Sequence, residues 1–283
     1  MDFLNGYTIK PLSVNLLGEV FFTDGTNNEI RANQSQCEAY GYTYDRASGT
    51  CIAFRHSTTL PRAINNINNK LNGVKNITEP GSNFVQINGT NNTSKGYNSN
   101  CFINGTDNTI ARYINNATAF GTLGEATATN ALVIGGNTEG DALGTRQNIT
   151  LMFGVQTTNS TVTNATLSNV KVAPFNFEIP LNSIITFQTE TVAVRVGGSG
   201  AGSVGDFKAF IETGAAVCNS SGAITLDKSR TTIANTGTTT GWTSDIVVSG
   251  TSFIQQVKGA NNRTVEWATT MRITQLKSGV TIP

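Results

Sequence analysis

The feature that most constrains this chain is a repeat of 16 residues in its first half. Ile87-Asn88-Gly89-Thr90 recurs as Ile103-Asn104-Gly105-Thr106, and Ala119-Phe120-Gly121-Thr122 is a looser third copy. A period this short describes one supersecondary unit, which cannot bury its own apolar face and must stack on copies of itself. The repeat therefore predicts an elongated rod built from β-structure.

The chemistry of the repeat predicts the type of rod. Short strands broken by Gly or Asn-Gly corners are typical of a β-helix or β-roll, because Gly and Asn tolerate the positive φ of each corner. We assign residues 78–160 to this shaft. Its rungs carry few large apolar side chains, such as Ile87, Ile103 and Phe120, which we judge too few to close a core within one chain. We therefore expect a homotrimer, in which three thin faces share one axis.

Apolar residues ahead of the repeat follow a helical spacing of 4, 3, 4 and 3 residues. This spacing predicts the a/d seam of a coiled coil. Two heptads are too short to hold an isolated helix in water, so we predict a short trimeric coiled-coil neck over residues 57–77. A surface helix that packs on its own domain is the alternative. The seam consists of Leu60, Ile64, Ile67, Leu71 and Val74.

Residues 1–56 mix short apolar runs with turn signals and predict a small, irregular β-rich head. Cys37 and Cys51 flank two short candidate strands around a turn, so a disulfide between them is possible. A cytosol normally keeps thiols reduced, and the redox state of this pair stays open. With His56 as the one histidine and no Cys-x-x-Cys pair, no structural zinc site is predicted, and neither is a cofactor.

After about residue 165 the pattern changes to alternation of apolar and polar residues, with turn signals between the segments. It predicts an antiparallel, jelly-roll-like β-sandwich knob over residues 161–283. The Gly-rich residues 197–205 are predicted to form a flexible loop. Candidate strands cover residues 183–196, 205–212, 244–248, 252–257 and 263–276. Aromatic residues available for packing or for receptor contact in the knob are Trp242, Trp267, Phe207 and Phe210.

Composition excludes several classes of function. The net charge is +1 and the pI about 7.6, without the basic character of a nucleic-acid-binding domain. No run of about 18 apolar residues is present, so no membrane insertion is expected. The first residues lack the basic and apolar regions of a secretory signal, and we expect synthesis and folding in a cytoplasm.

The segment 84–156, followed by Phe177-Glu178-Ile179-Pro180-Leu181-Asn182-Ser183 and by residues 263–274, resembles bacteriophage fibre proteins. In that family a trimeric β-structured shaft leads to a C-terminal β-sandwich knob, which closes with a Val-x-Trp-x-x-x-x-Arg-like strand. The repeat is also similar to the head of trimeric bacterial adhesins, a left-handed parallel β-roll. The resemblance covers roughly residues 84–283.

The resemblance implies a structural, non-enzymatic virion protein that is assembled in the host cytoplasm. Residues 1–56 would attach the homotrimer to another virion protein, in the tail or in the capsid. The knob would contact a host cell-surface glycan or protein, and three identical weak sites would gain avidity from their shared scaffold. A capsid decoration protein without receptor binding is one alternative.

A glycan-cleaving fibre or spike, a depolymerase, is the other alternative. That chemistry usually needs two carboxylates about 5 to 9.5 Å apart. A Ser-His-Asp triad would have to recruit His56. Each candidate carboxylate is more simply a solvated charge at a turn. The candidates are Asp107, Glu125, Glu139, Asp141, Asp206 and Glu212.

Overall fold

The computed structural model describes residues 2–15, 18–26, 28–46, 48–53, 68–136, 140–167 and 176–283. The chain forms two compact units, Met1–Ile64 and Asn65–Pro283. The described residues are mainly β, as the sequence predicts. In these ranges no helix has the length and apolar character that crossing a bilayer requires.

The first unit is a small β-rich fold around a buried phenylalanine. β1 (Lys10–Val14) pairs antiparallel with β2 (Val20–Thr23), and β3 (Thr43–Asp45) pairs antiparallel with β4 (Thr50–Ile52). Phe22 is fully buried, and the rings of Tyr40 and Tyr42 meet it edge to face at centroid distances of 5.7 and 6.3 Å. The remaining buried apolar residues of this core are Ile9, Val20, Ala32, Cys37 and Cys51.

The same unit contains a short helix that the sequence analysis missed, α1 (Gln34–Ala39). Asn33 and Gln36 form a reciprocal capping box at its start, and this Asn-x-x-Gln spacing was the available sequence signal. Cys37 on α1 and Cys51 on β4 are joined by a disulfide, with their Cα atoms 5.6 Å apart. The disulfide, whose formation the sequence left open, therefore links α1 to the antiparallel pair β3 and β4.

The first half of the second unit is a β-solenoid of about four turns within the described residues. Strands of successive turns are parallel and in register, so that Ile87 lies opposite Ile103 and Asn88 opposite Asn104. The predicted β-helix is confirmed. Its strands are β5 (Lys70–Val74), β6 (Ile77–Thr78), β7 (Gln86–Thr90), β8 (Thr93–Ser94), β9 (Phe102–Thr106), β10 (Thr109–Ile110), β11 (Thr118–Thr122), β12 (Glu125–Ala126) and β13 (Leu132–Gly136).

The interior of the solenoid is closed by a single chain. Ile87, Ile103, Ala119 and Val133 stack in register and are fully buried. The expectation that one chain has too few apolar side chains to close this shaft is therefore wrong. The interior is narrow, and small residues and amides fill the space that would otherwise need Leu or Phe.

A ladder of asparagine amides runs through this interior. The Oδ1 atom of Asn76 accepts from the backbone N and from Nδ2 of Asn92, both at 3.0 Å. Asn92 holds Asn108 in the same way at 3.0 and 3.1 Å, and Asn108 accepts from the backbone N of Gly124 at 2.8 Å. Asn92 and Asn108 are fully buried. In this ladder, each turn supplies the partners of the next.

A column of glycines makes the turns fit closely. Gly89 and Gly105 have φ values of +117° and +140°, a region that favours glycine. A Cβ atom on Gly89 would lie 1.9 Å from the carbonyl oxygen of Gly105, and one on Gly105 would lie 1.9 Å from that of Gly121. The Nδ2 atoms of Asn92 and Asn108 donate to the Gly105 and Gly121 carbonyls at 2.8 Å. The Asn-Gly pattern of the repeat is therefore a packing requirement.

The predicted coiled-coil neck is wrong where it can be compared with the structure. Leu71 and Val74 lie in β5, the first strand of the solenoid, and Leu71 pairs in register with Ile87. Leu71-Asn72-Gly73 is thus an earlier copy of the repeat, and its apolar spacing mimicked a heptad by coincidence. The other seam residues, Leu60, Ile64 and Ile67, lie outside the described residues.

Long antiparallel strands continue the sheet of the solenoid. β13 pairs with the first of them, β14, and β14 pairs with β22, so one sheet continues across the predicted boundary at residue 160. We call the combined sheet the long sheet; its order is β19-β18-β17-β22-β14-β13-β11-β9-β7-β5. The strands that follow the solenoid are β14 (Arg146–Thr157), β15 (Val162–Asn164), β16 (Phe177–Glu178), β17 (Ser183–Gly197), β18 (Phe207–Cys218), β19 (Ile224–Asn235), β20 (Thr243–Ser249), β21 (Ser252–Lys258) and β22 (Thr264–Lys277).

A second sheet, formed by β15, β16, β20 and β21, faces the antiparallel part of the long sheet. Phe187 on β17 meets Phe253 on β21 edge to face, with ring centroids 4.9 Å apart. The apolar residues between these sheets and those inside the solenoid belong to one continuous core, which includes Ile103, Ile149 and Ile273. A separate jelly-roll-like knob stays a prediction.

The asparagine ladder generates a stability prediction. Asn108→Ala removes the acceptor of the buried Gly124 N–H and the donor to the Gly121 carbonyl, and we expect it to lower the free energy of unfolding by about 3 kcal/mol. Urea unfolding measures this change. Asn104→Ala, on the exposed side of the same turn, is the matched control and should cost less than about 0.5 kcal/mol. Equal losses would contradict the ladder's role.

The glycine column generates a second prediction. Gly105→Ala places a Cβ atom on the carbonyl of the next turn, so we expect little folded protein, judged by circular dichroism and by resistance to proteolysis. Gly136→Ala is the control, because a Cβ atom there meets nothing within 4 Å. Normal folding of Gly105→Ala would show that the turns can separate.

Candidate functional site

Loops gather at one end of the antiparallel strands. Thr157 of β14 and Arg195 of β17 both pair with Val265 near the start of β22, and Phe207 at the start of β18 pairs with Val194. The connections that begin or end at this level therefore lie together. We call them the loop end, which consists of residues 158–161, 198–206, 236–242 and 259–263. Binding residues are disproportionately found on loops that a rigid scaffold positions.

Hydrogen bonds join these loops to one another. The backbone N and Oγ of Ser160 donate to Oδ1 of Asn261 at 3.0 and 2.8 Å. The backbone N of Gly200 donates to the carbonyl of Asn262 at 2.7 Å. Arg263 donates to the carbonyl of Thr238. The four loops therefore form one connected surface.

The Gly-rich loop after β17 is organised by a buried arginine. Arg195 is almost fully buried, and its guanidinium donates only to backbone carbonyls of this loop. Residues 197–205, which the sequence predicts to be flexible, thus wrap around one side chain. Arginine suits this role because its planar guanidinium carries five donors in fixed directions. The accepting carbonyls belong to Gly197 at 3.0 Å and to Gly198, Gly200 and Ala201 at 2.8 Å.

Asp206, a candidate catalytic carboxylate, joins two of the loops. It accepts from the backbone N of Ser203 at 2.9 Å and from that of Thr238 at 3.2 Å. The Ser203 hydrogen bond lowers the pKa of the Asp206 carboxyl below its usual value; burial opposes this shift, and the Thr238 bond reinforces it. Cβ atoms on Gly202 or Gly237 would lie 2.3 or 1.8 Å from its oxygens. The carboxylate therefore acts as a fixed turn anchor.

Most of the predicted aromatic contact residues lie in the core beneath the loop end. Trp242, Trp267 and Phe210 are buried in one cluster, and the two indole rings have centroids 6.0 Å apart. The Nε1 atom of Trp267 donates to Oγ1 of Thr157 at 2.9 Å. Of these four aromatic residues, only Phe207 is exposed. The structure thus places three of them in packing positions.

Three further candidate carboxylates contact groups other than carboxylates in the described residues. Asp107 accepts from the amide of Asn91 one turn earlier, and Asp141 pairs with Arg146. The side chain of Glu125 lies against Gly144. Glu139 and His56 lie outside the described residues.

Glu212 is fully buried between the two sheets and has a cationic partner. Its Oε1 atom lies 3.1 Å from Nζ of Lys228, and its Oε2 atom accepts from the backbone N of Ile246 at 3.1 Å. Burial raises the pKa of the Glu212 carboxyl above its ordinary value, although Lys228 opposes the shift. Lys228 also pairs with Asp245 at 2.5 Å. This carboxylate is part of an ionic cluster at the sheet edge.

The raised pKa of Glu212 generates a pH prediction. A carboxyl with a raised folded-state pKa stabilises the fold below its unfolded pKa, and this contribution is lost as the pH rises through the folded-state pKa. We therefore expect wild type to lose stability relative to Glu212→Gln between pH 4 and pH 7, measured by urea unfolding at each pH. Glu190→Gln, which breaks an exposed pair with Arg272, is the control. A difference that grows with pH in favour of wild type would contradict this assignment.

No protein-family model and no curated protein sequence matches this chain. Among solved structures, the tailspike protein of Acinetobacter baumannii phage AM24 aligns with 73% of this chain and 43% of its own, at 11% identity and a TM-score of 0.29. The tailspike protein of Acinetobacter phage vB_ApiP_P1 aligns with 74% of this chain and 47% of its own, at 8% identity and a TM-score of 0.21. The chain thus spans less than half the length of either phage tailspike.

Proposed function

We propose that this chain is a structural protein of a bacteriophage virion, a tail or capsid fibre or spike that binds the host surface through its loop end. The observation that carries the proposal is the long sheet. Its parallel solenoid strands continue through β14 into the antiparallel strands that bear the loops. A hydrogen-bonded sheet of this kind supports a binding surface rigidly on a β-solenoid.

The composition of the loop end suits a hydroxyl-rich partner. Its exposed residues are chiefly Ser, Gly, Asn and Thr, which supply adaptable donors and acceptors without net charge. We therefore assign the glycan contact to the loops rather than to Trp242, Trp267 and Phe210, which are buried. Arg195 reduces the entropy lost on binding, because the Gly-rich loop is already held in one shape.

The first unit supplies the attachment to another virion protein in this proposal. It exposes apolar side chains on and near β1, among them Phe3, Leu4 and Leu12. Exposed apolar residues of this kind are a common feature of protein interfaces. The disulfide between Cys37 and Cys51 fixes the fold that presents them.

The proposed protein is not an enzyme. Asp206 and Glu212, the candidate carboxylates of the antiparallel region, serve as a turn anchor and as part of a buried ionic cluster. If the chain is instead a depolymerase, incubation with a host polysaccharide will release new reducing ends. We expect no release.

The receptor assignment is tested with the purified chain on an array of bacterial surface glycans. Val204 is exposed at the tip of the loop around Arg195, and Val204→Glu places an unpaired charge in the contact. We expect binding to fall at least about tenfold, since a buried unpaired charge costs more than about 1.4 kcal/mol. Val280→Glu, an equally exposed valine outside the loop end, should bind as wild type does.

Two outcomes would overturn parts of this proposal. Equal binding by wild type and Val204→Glu would place the contact outside the loop end, and no binding to any glycan would contradict a glycan as the receptor.

The virion assignment has its own test. Antibodies against the chain should label the outside of phage particles that carry its gene and should block their adsorption. Labelling without blocking would favour a decoration protein.

A further inference from the structure

A lysine and two carboxylates meet between the two sheets. Lys228 lies on β19, at one end of the long sheet, and its Nζ atom lies 2.5 Å from Oδ1 of Asp245 on β20, in the second sheet. The same Nζ atom lies 3.1 Å from Oε1 of Glu212 on β18. It also donates to the carbonyl oxygen of Ile246. Each of the three N–H groups of this ammonium thus has an acceptor, which fixes its orientation.

The two carboxylates have different surroundings. Glu212 is buried, and its Oε2 atom also accepts from the backbone N of Ile246 at 3.1 Å. The side chain of Asp245 is 43% exposed and that of Lys228 is 25% exposed. Burial raises the pKa of the Glu212 carboxyl above its ordinary value. Glu212 is therefore suited to take up a proton and to return it.

A lysine at this position has a chemistry that an arginine lacks. The ion pairs of Asp141 and Glu190 use arginine, whose guanidinium does not lose its proton in proteins. A lysine amine does lose its proton when a neighbouring group accepts it, and the neutral amine is a nucleophile. Lys228 therefore holds a potential nucleophile in contact with the carboxyl group of Asp245 and beside a proton acceptor, Glu212.

We propose that Lys228 and Asp245 become joined by an amide bond, with Glu212 as the group that transfers the protons. Nζ of Lys228 passes a proton to Glu212 and attacks Cγ of Asp245. The Nζ–Cγ bond forms, and the bond between Cγ and one carboxyl oxygen breaks. That oxygen takes two of the three Nζ protons, delivered through Glu212, and leaves as water. An ammonium and a carboxylate have the same atoms and net charge as an amide and one water, so no co-reactant is needed.

Position and burial favour this condensation. Two groups held in contact react as parts of one molecule, and well-oriented pairs reach effective concentrations of about 10⁵ M or more. The product replaces two ionic groups, whose removal from water is costly, with one neutral amide. Arg230 lies 3.7 Å from Oδ1 of Asp245 and stabilises the negative charge that develops there during the attack. The exposed side of Asp245 lets the released water leave.

The bond fastens β19 to the opposite sheet. β19 lies at one end of the strand order of the long sheet, where it pairs with β18. A bond between Lys228 and Asp245 spans a sequence separation of 17 residues, and the loop that it closes contains residues 236–242 of the loop end. This segment is then held covalently as well as by hydrogen bonds. The inference needs only the geometry of the three side chains and does not rest on the proposed function.

The bond also leaves the expected direction of the pH series unchanged. An amide at Lys228 removes the cation that opposes the raised pKa of Glu212. The cross-link itself adds the same stability at every pH. Wild type should therefore still lose stability relative to Glu212→Gln as the pH rises.

Mass spectrometry of the intact, reduced and unfolded chain tests the bond. We expect wild type to be lighter than its sequence by the mass of one water molecule, and fragmentation after proteolysis should find the peptides of Lys228 and Asp245 joined. Lys228→Arg should keep the full mass. Lys208→Arg is the matched control, because Nζ of Lys208 donates to the backbone carbonyl of Trp242 at 3.1 Å; it should lose water as wild type does. A folded wild type with its full sequence mass overturns the proposal.

Two further variants test the chemistry. Asp245→Asn keeps the carbon that is attacked but changes the leaving group, so it should lose ammonia and reach the same final mass as wild type. Glu212→Gln cannot take up the proton, and after refolding from urea it should form the bond at least about a hundredfold more slowly. Equal rates in wild type and a folded Glu212→Gln would contradict the role of Glu212. If circular dichroism shows that Glu212→Gln does not fold, the masses of wild type and Asp245→Asn decide.

Discussion

The ladder of buried amides is the interaction on which the rest of this structure depends. In an apolar interior an unpaired amide is costly, so Asn92 and Asn108 are tolerated only because the turns before and after them supply partners. The Gly105 and Gly121 carbonyls that accept from this ladder stand where a Cβ atom would otherwise lie. Amide pairing and close stacking therefore require each other. This coupling explains how a chain with 13% charged residues and modest apolar content builds a closed solenoid.

The sheet of the solenoid continues into the antiparallel strands, whose loops we propose bind the host surface. β13 is parallel to β11 but antiparallel to β14, so one strand converts a stack of turns into a meandering sheet. At the far end of the long strands, Arg195 and Asp206 hold the loops by hydrogen bonds to the backbone. A surface of small polar residues gains a defined shape in this way without a hydrophobic core of its own.

The two faces of the long sheet have different consequences. The inner face belongs to a core that one chain completes. The opposite face exposes Val192, Val194 and Met152 beside polar residues such as Glu190 and Arg272.

The sequence alone determined the elements that depend on short periods. The 16-residue repeat specified the solenoid, because stacking places equivalent residues one turn apart, and strict alternation specified strands such as β17 and β22. Leu71-Asn72-Gly73 was misread because apolar spacing over two turns fits both a helix and a strand that begins a repeat. Tertiary structure alone decided that Cys37 meets Cys51, that Arg195 orders a Gly-rich loop and that Trp242 is buried while Phe207 is not. These outcomes depend on contacts between residues distant in the chain or on which face of a strand meets the core, and no local pattern encodes either.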